Sequence, residues 1–196
     1  LNTYHAVRTL ERAGADCIQL EDQVSPKRCG HFNGKEVIEA SEMIGKIKAA
    51  CDARRNSDTI IMARTDAAAI HGFDAAVERA QQYAEAGADL LFVEAVTSAE
   101  HIAALPQRLK TPQLMNMVIG GKTPITSTEE LAKMGYGIVL YANAALQGAV
   151  AGMQRALGVL KNEGHIQEDP NLVAPFAERQ RLVNKPIWDA LEKKYQ

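Results

Sequence analysis

The chain has 196 residues, 46% of them hydrophobic and 23% charged, with a formal net charge of −2. That is the composition of a globular domain with a sizeable core, and it excludes the basic footprint of a nucleic-acid binder. No apolar run approaches the roughly 20 residues of a membrane span, and three cysteines without a C-x-x-C spacing predict a reduced, cytoplasmic setting.

In chain order, Val7, Leu10 and Ala13 recur three apart with charges between them, one face of a helix over residues 1–13. Gly14-Ala15-Asp16 ends it and launches a short strand, Cys17-Ile18-Gln19-Leu20. Glu21, Asp22 and Gln23 follow, then a turn at Ser25-Pro26 and the run Lys27-Arg28-Cys29-Gly30-His31. Glu36 to Ala53 reads as a helix with Val37, Ile38, Met43, Ile47 and Ala50 inward. Residues 59–63 form the next strand, which runs into Arg64-Thr65-Asp66, and Asp74 is placed to cap a helix reaching Ala86. Gly87-Ala88-Asp89 repeats the earlier strand start, and Leu90-Leu91-Phe92-Val93 runs into Glu94. A helix over 98–105 leads to Gln113-Leu114-Met115, which ends in Asn116. Thr128 is expected to cap a helix over 129–134, and 138–141 is the last strand. An Ala-rich helix over 143–162 stops at Gly164, and two short helices follow Asp169-Pro170, the second opened by Pro186.

Continuous apolar strands separated by helices predict a parallel sheet covered on both faces. Glu21, Arg64, Glu94 and Asn116 each end a strand, at the carboxyl edge where parallel sheets and (β/α)8 barrels assemble their sites. A (β/α)8 barrel takes eight strands and roughly 250 residues, so spacing alone predicts an open doubly wound sheet. The helix-first opening predicts instead further βα units ahead of Leu1.

Cys29 stands beside Lys27 and Arg28 in a short polar loop, the surroundings of a reactive thiol. Glu21 and Asp22, one loop away, are candidates to hold a cation or a proton. Plainer readings stand beside these: Asp22 as strand-end support, Arg64 paired with Asp66 on a surface, His31 and His71 as loop residues. A Cys29–His31 zinc site lacks two further ligands. Gly120-Gly121-Lys122-Thr123 lacks the upstream glycine of a phosphate loop and reads as a loop over the site.

Glu21-Asp22-Gln23 followed by Lys27-Arg28-Cys29-Gly30-His31 resembles the signature loop of the isocitrate lyase/phosphoenolpyruvate mutase superfamily. Met62-Ala63-Arg64-Thr65-Asp66-Ala67, Phe92-Val93-Glu94-Ala95 and Met115-Asn116-Met117 match further segments in the same order. The resemblance implies a (β/α)8 TIM barrel of which residues 1–142 are the last five strands. It implies that 143–196 hold the last barrel helix and the oligomerisation helices, exchanged in a dimer of helix-swapped dimers. It implies Mg²⁺ (or Mn²⁺) dependence, with Glu21 at the metal site through water and the main Asp-x-Asp ligands on a strand ahead of Leu1. Glu21, Lys27 and Cys29 would be catalytic, with Cys29 as general acid, and Gly30, His31, Arg64, Glu94 and Asn116 would bind or orient substrate.

Two departures narrow the substrate. Gln19 stands where methylisocitrate lyases tend to carry His, and no Arg stands near Gln147, which argues against a tricarboxylate. Cys29 argues against the phosphonate-bond enzymes. The expected reaction is carbon–carbon cleavage of a small 2-hydroxy dicarboxylate of the dimethylmalate type, giving a 2-oxo acid. The alternatives are oxaloacetate hydrolysis or decarboxylation at the same site, or a catalytically incomplete paralogue acting as a binding subunit.

Overall fold

The computed structural model describes residues 1–29 and 34–196, in two compact units, Leu1–Ala142 and Asn143–Gln196. The first unit alternates helices and strands: α1 (Asn2–Arg12), β1 (Cys17–Glu21), α2 (Ala40–Ala53), β2 (Ile60–Thr65), α3 (Ala68–His71), α4 (Phe73–Glu85), β3 (Leu90–Val93), α5 (Ala99–Arg108), β4 (Leu114–Asn116), α6 (Thr128–Met134) and β5 (Ile138–Leu140).

All strand pairings named here are parallel: β1 with β2, β2 with β3, and β4 with β5, while a parallel bridge between Leu91 and Gln113 continues the row from β3 to β4. Neighbours in space are therefore neighbours in sequence. A doubly wound sheet reverses its strand order at a switch point; this row does not, which corrects the arrangement expected from spacing alone.

The strand interiors β2 to β4 are buried, and Leu91, Val93 and Met115 pack with Met43 and Ile47 of α2, Val77 and Tyr83 of α4, Ile102 of α5 and Leu131 of α6. Burial on both faces does not extend to the ends of the row: Cys17 and Gln19 of β1, and Ile138 and Leu140 of β5, are exposed. No described strand lies beyond either.

Three helix starts differ from expectation. Residues 36–39 are not helical, because Val37 bridges antiparallel to Gln23 and the Ile38 amide donates to the Asp22 carbonyl at 2.8 Å, so α2 begins at Ala40. Asp74 lies in the first turn of α4 and pairs with Arg108, while Gly72, at φ +89°, precedes the helix. Ser127, not Thr128, caps α6: its hydroxyl accepts the Glu130 amide at 3.2 Å, and the Glu130 carboxylate reaches back to the Ser127 amide at 3.2 Å.

The second unit consists of α7 (Ala144–Glu163), ended by Gly164 in the left-handed conformation, α8 (Phe176–Leu182) and α9 (Lys185–Tyr195), with Pro186 in the first turn of α9. Leu146, Val150, Met153, Leu157 and Leu160 are exposed at intervals of three and four along α7, one apolar face of that helix.

Candidate active site

Parallel pairing fixes which side chains meet at the carboxyl edge. Glu21 ends β1 opposite Arg64 of β2, and Thr65 lies opposite Val93, so Glu94 emerges alongside Asp66. Arg64 is 9% exposed and carries three carboxylates around it. Its Nε donates to Asp66 Oδ2 at 2.8 Å, and its Nη2 donates to Asp66 Oδ1 at 3.1 Å and reaches Glu94 Oε2 at 3.0 Å. Glu21 Oε2 is 3.5 Å from Nε, and the guanidinium lies 5.0 Å above the centre of the Phe92 ring. Nη1 has no partner among the described residues, so one edge of the guanidinium remains for an incoming carboxylate.

Asp66 is fully buried and serves a second cation: Lys35 Nζ lies 3.0 Å from its Oδ1. Burial alone would push the Asp66 carboxyl up, but the hydrogen bonds and charge of Arg64, with those of Lys35, hold it below its ordinary value. The Asp66 amide is in turn held by Asp22 Oδ1 at 2.9 Å. Asp22 Oδ2 accepts from the Thr65 hydroxyl at 2.7 Å and the Tyr83 hydroxyl at 2.9 Å, and lies 3.4 Å from Arg79 Nη1. Burial and the Asp22 charge push the Tyr83 phenol up, which keeps it a donor. Asp22 is thus a fully buried support that ties this corner of the strands together.

Val24 and Glu36 lie at neighbouring points of the sheet edge. The Val24 amide donates to the Glu36 carbonyl at 2.9 Å, directly beside the Gln23–Val37 bridge. The Gln23 side-chain amide clamps Arg28, accepting its N–H and donating to its carbonyl, both at 2.9 Å. Gly34 takes φ +75°, a conformation that favours glycine; a Cβ there would fall 2.7 Å from Nη1 of Arg28, the far end of a flexible side chain that can shift.

The expected residues are distributed as follows. Glu21, Arg64 and Glu94 meet, with Lys27 at the rim, its Nζ 3.9 Å from Glu21 Oε1. Cys29 is a free, exposed thiol on the loop. Asn116 is buried at the end of β4, and its Oδ1 has no hydrogen-bond partner among the described residues. Gly30 and His31 lie outside the described residues.

Sequence reasoning passed over Lys35, Arg79 and Tyr83, and read Asp66 only as a surface partner. Lys35 alone left a sequence signal, a single lysine between Gly34 and the apolar pair Val37-Ile38.

Among the described residues no group of three or more His, Cys, Asp or Glu side chains could hold a metal ion. Asp66 and Glu94 are already committed to Arg64. Glu21 differs: it makes ion pairs only at 3.5 and 3.9 Å and no hydrogen bond, with its side chain 20% exposed. Of the three carboxylates around Arg64 it is the one least committed to protein partners, and so the one open to a cation.

Residues 2–160 match the phosphoenolpyruvate phosphomutase family. The 2,3-dimethylmalate lyase of Eubacterium barkeri is 45% identical over 195 residues, covering all of this chain and 68% of the relative. The structure of oxaloacetate acetylhydrolase with the inhibitor 3,3-difluorooxalacetate superimposes with a TM-score of 0.87 at 31% identity, over 98% of this chain and 65% of that one. Phosphonopyruvate hydrolase in complex with oxalate and Mg²⁺ superimposes with a TM-score of 0.83 at 29% identity, over 99% of this chain and 68% of that one. The chain thus spans about two thirds of the length of these proteins. With a matched segment running from α1 into α7 and the acid–arginine corner at its strand ends, the chain belongs to the phosphoenolpyruvate phosphomutase family.

Proposed function

We propose that this protein is a carbon–carbon lyase that cleaves a small 2-hydroxy dicarboxylate of the dimethylmalate type into a 2-oxo acid and a second carboxylate. The observation that carries the reading is the buried Arg64, fixed by Asp66 and Glu94 yet with Nη1 left over at the carboxyl edge of the sheet. The named lyase among its relatives supports it.

Arg64 Nη1 binds a substrate carboxylate, and Asn116 Oδ1 accepts a hydrogen bond from the substrate hydroxyl or its water. Glu21, without a hydrogen bond of its own, takes the hydroxyl proton directly or through water. The C2–C3 bond then breaks with its electron pair on C3, whose carboxylate delocalises the charge as an enediolate. Arg64 and Lys27 oppose that charge, and the Cys29 thiol returns a proton to C3. Glu21 would be the contact of a divalent cation among the described residues, and such a cation would supply further positive charge against the enediolate. Gly30 and His31, given substrate-binding roles by resemblance, lie outside them.

The same corner suits oxaloacetate hydrolysis, a second reading favoured by the likeness to oxaloacetate acetylhydrolase. We further read the sequential strand row as consecutive units of a (β/α)8 barrel. The apolar faces of α7 and α9 form the interface of helix-exchanging dimers in this reading. The assay supplies Mg²⁺ and either 2,3-dimethylmalate or oxaloacetate. Pyruvate and propionate from the first substrate support the lyase, oxalate and acetate from the second support the hydrolase, and neither product set removes both.

A further inference from the structure

We propose that Lys35 is a positioning residue: its buried ion pair with Asp66 fastens the returning foot of the Cys29 loop to the carboxylate that orients Arg64. Its effect on turnover rests on the lyase reading above; its effect on the loop does not.

A lysine is among the side chains least often buried, because the ammonium loses its hydration. Here the Lys35 side chain is 2% exposed and its partner Asp66 is fully buried, 3.0 Å away and 31 positions along the chain. The pair is not isolated. Asp66 Oδ1 accepts from both Lys35 Nζ and Arg64 Nη2, while Oδ2 takes Arg64 Nε, so one carboxylate bridges the loop's foot and the substrate-facing guanidinium. Asp22 holds the Asp66 amide and, through its own carbonyl, the Ile38 amide. The acid in the middle is therefore fixed from the strand side and the loop side together.

Among the described residues the other attachments of the loop are the Val24–Glu36 main-chain bond, the Gln23–Val37 bridge, the neutral Gln23 clamp on Arg28 and the longer, exposed Lys27–Glu21 pair at 3.9 Å. They set where the loop leaves the sheet. Only Lys35 ties it to the Arg64 cluster by charge among the pairs made from residues 34–36. Lys27 and Cys29 ride between these feet, so loosening the Lys35 foot spreads the positions from which they reach the substrate, and orientation is what the transition state requires.

The test uses Lys35→Met, Asp66→Asn and the double variant in the full chain, with three readouts. Trypsin cleavage after Lys27 and Arg28 reports how often the loop opens. Cleavage after Lys110 and Lys133 reports general loosening. Steady-state kinetics on 2,3-dimethylmalate separate kcat from KM. Lys35→Met is expected to raise loop cleavage at least 10-fold with the distant sites within 2-fold of wild type, and to lower kcat at least 10-fold with KM changed less than 3-fold. The double variant is expected to be no worse than Asp66→Asn, because both remove one link. Loop cleavage unchanged, or raised equally at all sites, overturns the proposal. Should Lys35→Met fail to fold, Lys35→Gln supplies the same comparison. If the wild type cleaves no 2-hydroxy dicarboxylate, the lyase reading falls, and the loop-cleavage ratio still decides the role of Lys35.

Discussion

Asp66 sets the charge balance of the site. It is fully buried, and burial by itself disfavours its ionised form, but Arg64 and Lys35 more than offset this and leave the carboxyl below its ordinary value. An acid depressed on folding contributes stability that is present above its unfolded pKa and is lost as pH falls through the folded one. The contribution should therefore be constant from pH 7 to about 5 and fade below about 4, near the reference value for aspartate. Urea unfolding of wild type and Asp66→Asn checks this: the gap in midpoint should narrow only in that acid range, and a gap unchanged down to pH 3 would contradict the assignment. Arg64, Glu94 and Glu21 were legible in the sequence because each follows an apolar run and so had to emerge at a strand end. Lys35, Arg79 and Tyr83 were not, since their partners are 31, 57 and 61 positions away and no local pattern encodes such pairs.

At the scale of elements, the strands were the most legible part and the helix starts the least. Most strands are short apolar blocks, three of them following a glycine or proline after a helix (β1, β3 and β4) and ending in or just before a polar residue, whereas a helix start depends on what the preceding residues do elsewhere. Val37 and Ile38 have the apolar spacing of a helix, yet the ladder with Gln23 and Asp22 takes them first. The second unit makes a prediction of its own. Leu146, Val150, Met153, Leu157 and Leu160 line α7, and Ile187, Trp188 and Leu191 are exposed on α9, with Trp188 64% exposed. Large exposed apolar side chains at interface spacing act as anchors in partner pockets. Leu157→Glu combined with Trp188→Asp is expected to lower the mass seen by light scattering to that of the monomer while the circular dichroism spectrum stays helical. An unchanged oligomer would reject these faces as the interface.

For the whole molecule, the row of parallel strands explains how residues from separate segments reach one edge of the sheet. β1, β2 and β3 deliver Glu21, Arg64 and Glu94 to one edge, β4 delivers Asn116, and the loop after β1 carries Lys27 and Cys29. The winding was ambiguous from spacing because strand length and helix length are the same in an open sheet and in a barrel wall; only the order of neighbours separates them. The division of labour in the site is sharper. In the proposed mechanism Arg64 contacts the substrate throughout, whereas a thiol proton is needed only after the carbon–carbon bond has broken. The kcat of Cys29→Ser on 2,3-dimethylmalate, measured beside its affinity for a dicarboxylate inhibitor, tests that division most directly. Turnover is expected to fall by roughly 10²–10⁴-fold, the usual share of general acid catalysis, with inhibitor binding kept within a few-fold; a variant that turns over at the wild-type rate would contradict the account.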